Sequence, residues 1–172
     1  MMTLYSKIIN SPVVELRTQT QVGVVDDLVI HKTNLEVYGI ILKKSSFLDF
    51  HEAQVVINTD ILEMNSETVI VNDAESILPL SETIRLSEAI AQKYCGIYQR
   101  IITKKGKNIG LVYDYLVDST TQKITKFYCR TLTSEKIISA DRVIKMEGKK
   151  IYIKDEYESK RTTEPVIETM PV

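Results

Sequence analysis

At 172 residues the chain has room for one medium domain or two small ones. Its 44% apolar and 26% charged content is that of an ordinary soluble globular protein, and no stretch approaches the ~20 apolar residues of a membrane-spanning helix. The net charge of −1 hides a division: residues 1–80 hold 5 Lys/Arg against 11 Asp/Glu, a net of −6, whereas residues 96–156 hold 13 against 7, a net of +6. Charge divided in this way speaks of surfaces and partners, not of fold.

The N-terminus, Met1-Met2-Thr3-Leu4-Tyr5-Ser6-Lys7, lacks an apolar run of signal-peptide length, and a cytoplasmic location is expected. A first strand is expected at Ile8–Leu16, followed by the polar turn Arg17–Gln21. Next comes Val22-Gly23-Val24-Val25-Asp26-Asp27-Leu28-Val29-Ile30. It returns 87 residues later as Ile109-Gly110-Leu111-Val112-Tyr113-Asp114-Tyr115-Leu116-Val117. A repeat of that length exceeds a solenoid unit and means two copies of a small domain. Both faces of the repeated strand are apolar, one to line a core and one to meet a neighbour.

After a turn at His31–Asn34 a third strand reads Val37–Leu42, rich in β-branched residues. The middle of the first unit, Ser45–His51, is five residues longer than its counterpart and holds an apolar knot, Phe47, Leu48 and Phe50. The unit ends with Ile61–Met64 and Val69–Val71, matched at an offset of 82 by Val143–Met146 and Ile151–Ile153. Between the copies, Leu80–Tyr94 predicts a helix of about three turns, with Ser81 as N-cap and Leu86, Ala89 and Ile90 on one stripe. The second copy opens at Gly96–Thr103 and turns at Lys104-Lys105-Gly106-Lys107-Asn108, where Gly106 supplies the positive φ of a tight hairpin. Beyond Asp155 the chain is polar, with two prolines and no period, and reads as a disordered tail.

Short strands with frequent turns predict an all-β fold of two tandem small antiparallel barrels. The expected divisions are an acidic barrel at 1–80, a helical connector at 81–95, a basic barrel at 96–156 and a flexible tail at 157–172. The order of elements resembles the PRC-barrel family. The resemblance rests on a Gly-x-Val-x-Asp skeleton: Gly23, Val25 and Asp27 in one copy, Gly110, Val112 and Asp114 in the other. The two copies together cover about 135 residues. The family includes the cytoplasmic part of the photosynthetic reaction centre H subunit and the C-terminal half of a ribosome maturation protein. The resemblance implies docking onto another macromolecule.

No grouping of residues points to a reaction. A lone carboxylate per barrel, Asp27 or Asp114, lacks the positioned partner that acid–base work needs. A structural role is expected, the carboxylate accepting backbone N–H groups of an adjacent turn. Gly23 and Gly110 are likewise expected at crowded backbone or a bulge. Asp26, Asp27, Asp49, His51 and Glu52 match no metal-ligand spacing, and Cys95 and Cys129 read as free thiols. Neither metal, cofactor nor enzymatic activity is expected. Lys104, Lys105 and Lys107 form the densest basic cluster, and with Phe47, Leu48 and Phe50 they are the candidate partner-binding residues. The expected function is a binding or adaptor module with a protein partner or a second copy, the barrels associating through opposite charge. RNA or a ribosome, an anionic membrane surface, and a small ligand between the barrels are the alternatives.

Overall fold

The computed structural model describes residues 1–44, 52–91 and 97–155. Phe47, Leu48, Phe50, Asp49, His51, Cys95 and the tail from residue 156 lie outside the described residues. The strands are β1 (Met2–Leu4), β2 (Pro12–Glu15), β3 (Gln21–Ile30), β4 (Val37–Leu42), β5 (Gln54–Ile57), β6 (Ile61–Met64), β7 (Val69–Val71) and β8 (Leu78–Pro79) in the first half of the chain. In the second half they are β9 (Arg100–Thr103), β10 (Asn108–Asp118), β11 (Lys123–Arg130), β12 (Glu135–Ser139), β13 (Val143–Glu147) and β14 (Lys150–Ile153). Two α-helices are described, α1 (Tyr5–Ile8) and α2 (Ile84–Ala91).

The strands form two curled sheets with one topology. The first runs β6-β7-β2-β3-β4-β5 with β8 at its end, and the second runs β13-β14-β9-β10-β11-β12. The fold is all-β, in two tandem barrels. One ladder in each is parallel, β2 with β7 and β9 with β14, so the expectation of wholly antiparallel barrels is corrected. The last hairpin of each unit returns to its first strand, and the hairpin fixes the direction in which that strand arrives. Even the irregularities repeat. The register slips at Asp26/Asp27 in β3 and at Tyr113/Asp114 in β10. Asn10 and Tyr98, 88 residues apart, both take positive φ (71° and 58°).

Alternation puts Val13, Val25, Ile40, Val56, Met64 and Val69 inside the first barrel. Ile101, Val112, Tyr115, Phe127, Ile138 and Ile151 fill the second, and the two sets merge in one apolar cluster. Tyr115 and Phe127 are fully buried, their ring centroids 6.3 Å apart. Among side chains of this size such packing contributes most of a small domain's stability.

The seam between the barrels follows a local two-fold axis. The turns after β3 and β10 place Leu35 and Gln122, 87 residues apart, at positive φ (58° and 53°). Val37 N–H donates to the Gln122 carbonyl at 2.7 Å, and Ile124 N–H donates to the Leu35 carbonyl at 2.9 Å. Val37 and Ile124 are themselves 87 residues apart, so the contact is isologous. Between these bonds Lys123 Nζ meets Glu36 Oε1 at 3.0 Å, and the ion pair holds the Glu36 carboxyl below the usual range. Both groups are partly exposed, and a pair of this kind contributes little to stability.

The N-terminus departs from the two-fold arrangement. β1 pairs antiparallel with β10 of the second barrel, Met2 with Asp118 and Leu4 with Leu116, although it lies within the 1–80 span expected for the first. Of the expected connector helix, Ile84–Ala91 forms α2 and a 3₁₀ turn at Leu80–Glu82 precedes it; residues 92–94 lie outside the described residues. Ser81 is not its N-cap. Glu52 accepts both the Ser81 N–H and the Ser81 hydroxyl, and this draws Ser81 to the loop before β5 instead.

Candidate functional site

The motif carboxylates act together. α1 sits between the barrels, its Ile8 fully buried, and two neighbouring residues on it reach opposite ways. Tyr5 Oη donates to Asp27 Oδ1 at 2.9 Å. Ser6 donates to Asp114 twice, through N–H to Oδ1 at 3.1 Å and through Oγ to Oδ2 at 2.6 Å. Each aspartate also accepts the next backbone N–H in its own bulge, Leu28 at 2.7 Å and Tyr115 at 2.9 Å. The Tyr5 ring packs on Tyr115 with centroids 4.7 Å apart. Both aspartates thus tie one helical turn to two barrels; Asp114 accepts donors on both oxygens and Asp27 accepts two on Oδ1.

Burial pushes the Asp27 carboxyl above its ordinary value of 3.8, against the lowering effect of Tyr5 and Leu28. Folding therefore favours the protonated form. The stability this group contributes is fully present below pH 3.8 and is lost as pH rises through its raised value. Asp27→Asn, which keeps an acceptor oxygen without the charge, is expected to match the parent at pH 3.5. It should be the more stable protein at pH 7. Urea midpoints across that range check this; a variant weaker than the parent at pH 7 contradicts it.

The motif glycines are not equivalent. At Gly110, φ is 155° and an added Cβ would stand 2.9 Å from the Arg130 carbonyl oxygen. At Gly23 it would meet only the Leu42 side chain, at 3.0 Å. Val25 and Val112 are both fully buried.

Of the candidate binding residues, Lys104, Lys105 and Lys107 lie exposed around the tip of the β9–β10 hairpin, with Gly106 at φ 86°. Lys105 N–H donates to the Asp155 carboxylate at 2.9 Å. Cys129 is buried, its thiol pushed up to about 11 by desolvation, and it donates to the Lys136 carbonyl. No group of three or more metal-ligating side chains occurs among the described residues. His31 packs at a tilt against Tyr38 with ring centroids 4.5 Å apart, and its Nδ1 accepts the Asn34 N–H. No helix among the described residues is long and apolar enough to cross a membrane.

The outer faces of the two barrels differ. On the first, α2 lays Leu86 and Ala89 over Val29 and Val55, with Tyr38, Ile41 and Ile57 around them. Gly39 lets α2 approach closely: a Cβ there would stand 3.1 Å from Leu86 Cδ2. On the second barrel the equivalent row is Leu116, Tyr128 and Ile137, by the same register that pairs Ile41 with Val55 and Tyr128 with Ile137. Val55 is 0% exposed and Ile137 is 55% exposed. Tyr113 and Tyr128 stand with ring centroids 6.4 Å apart on this face, and the Arg130 guanidinium lies 5.5 Å over the Tyr113 ring. Beyond Arg130 the face continues into an open cavity of ≈ 620 Å³ lined by Arg100, Leu111, Arg130 and Leu132. Leu111 and Leu132 are exposed. This face escaped the sequence reading, because alternation shows which residues point outward but not which outward face is covered.

Residues 2–78 match the family model of the PRC-barrel domain. No curated protein matches the chain. The matched span covers the first barrel and β1, and the second barrel repeats the order of strands β2 to β7.

Proposed function

We propose, with residues 2–78 a PRC-barrel domain, that the protein is a non-enzymatic cytoplasmic adaptor docking onto a partner protein through its second barrel. One observation carries this reading. Among the described residues, no element covers on the second barrel the outer face that α2 covers on the first, and there Ile137, Leu111 and Leu132 stand exposed beside arginines. Apolar and aromatic centres rimmed by Arg are the composition of protein interfaces. The filled interiors give the barrels a rigid frame for presenting that face.

The exposed Lys104, Lys105 and Lys107 hairpin supports RNA as a second reading, since basic side chains at a tip can neutralise phosphates. One experiment separates the two. The full chain, immobilised, is exposed to extract of its source cell with and without ribonuclease. The adaptor reading expects a defined set of proteins that survives ribonuclease and is retained less by Ile137→Glu. Retention abolished by ribonuclease and by Lys104/Lys105/Lys107→Glu overturns it in favour of RNA.

A further inference from the structure

We infer that the open face of the second barrel seats an acidic amphipathic helix of a partner protein, in the place that α2 takes on the first barrel. The inference rests on the adaptor reading and names the chemistry of what is adapted. Its first support is the internal repeat. The two sheets share strand order, bulges and register, so the covered face is a worked example of what the open one can hold. On the covered face the occupant is a helix of two turns presenting Leu86 and Ala89 to a row of β-strand side chains. The corresponding row, Leu116, Tyr128 and Ile137, keeps its apolar character; Leu116 and Tyr128 are half-buried, Ile137 is exposed, and no helix among the described residues lies over it.

Charge gives the second support. α2 carries Arg85 and Glu88 and is neutral. The open face is not. Arg130 lies over Tyr113, Arg100 lines the adjoining cavity, and the exposed Lys126 flanks the row on β11. Glu135, opposite Arg130 in the β11–β12 register, is the acid nearby. Carboxylates spaced along the rim of an apolar stripe would answer these cations while the stripe covers Ile137 and Tyr128. Lys126 occupies the position equivalent to Gly39. A helix here cannot press as closely as α2 does, and the lysine instead offers its rim a charged partner.

The test uses the full chain and a fluorescent 15-residue helical peptide of Leu and Glu with a single apolar stripe. A Leu/Lys peptide of the same pattern is the control, and polarisation is read at low salt. The acidic peptide is expected to bind and the basic one not. Ile137→Glu and Arg130→Glu should each weaken binding at least tenfold, and Leu62→Glu, exposed on the first barrel, should leave it unchanged. Equal binding by Ile137→Glu, or preference for the basic peptide, overturns the inference. So does a dimer of the parent that Ile137→Glu dissociates, which would assign the face to a second copy. A tenfold gain in peptide affinity in Val166→Glu/Ile167→Glu would assign it to the chain's own end. Retention of ribonuclease-resistant proteins by a chain that ignores the acidic peptide would leave the adaptor reading standing and remove this one.

Discussion

Replacing Gly39 with alanine is expected to cost about 4 kcal/mol, among the largest effects of any single added methyl group in the chain. Gly39 lies in β4 where β5 passes close by, and an added Cβ would overlap the Val56 carbonyl oxygen and crowd Ile57 Cα at 3.3 Å. A backbone atom cannot rotate away as a side chain does. The methyl must instead part β4 from β5 and lift Leu86, so the ladder and the helix on it loosen together. A loss of this size lowers the melting temperature of a chain this long by about 12 °C. Gly23→Ala makes the control: its Cβ would meet only the Leu42 side chain, which can turn, and a loss within about 1 kcal/mol is expected. Calorimetry on both proteins checks this. Equal losses would mean that the close approach of β4 and β5 is not what selects glycine.

Asp114→Ala is expected to cost about 3 kcal/mol and to loosen the N-terminus. The carboxylate is buried and accepts three donors, Ser6 N–H, Ser6 Oγ and Tyr115 N–H. Hydrogen bonds to a charged acceptor are worth about 1.5–3 kcal/mol each, and water can replace part of this at the exposed Ser6. The Tyr115 N–H, inside a bulge above the core, has less access to water. Its loss of a partner makes the substitution costly. Amide exchange should quicken at Thr3, which is paired in β1, and at Ser6, but not in β6 or β7. Ser6→Ala should reproduce the faster exchange at a smaller cost, since the Ser6 N–H bond survives. Unaltered exchange at Thr3 in Asp114→Ala would detach the motif aspartate from the clasp.

These two sites show how far the residues disclose the fold. Val22–Ile30 and Ile109–Val117 announce the duplication, and period-2 alternation in both copies discloses strands and interiors. The drift of the offset from 87 to 82 falls between β4 and β5, outside both strands, and leaves the ladders intact. The contacts made over long sequence separation were not legible. α1 is four residues long, too short for a helical period, and Ser6 finds Asp114 across 108 positions. The expectation that each aspartate serves its own turn covered Leu28 and Tyr115 but not Tyr5 and Ser6. Ser81 reads as an N-cap by type, and tertiary contact with Glu52 outcompetes that local role. Nor does charge mark the seam. The −6 and +6 halves meet through backbone bonds at Leu35 and Gln122 and through apolar packing, with Glu36 and Lys123 between them.

The open face of the second barrel stands or falls on where a ligand perturbs the chain. The direct measurement is the change in backbone amide chemical shifts of the full chain on titration with the acidic Leu/Glu peptide. Shifts should concentrate at Tyr113, Tyr128, Leu132 and Ile137, with Val29, Val55 and Leu62 unmoved. Shifts confined to the first barrel, or to the Lys104–Lys107 hairpin, would contradict the account.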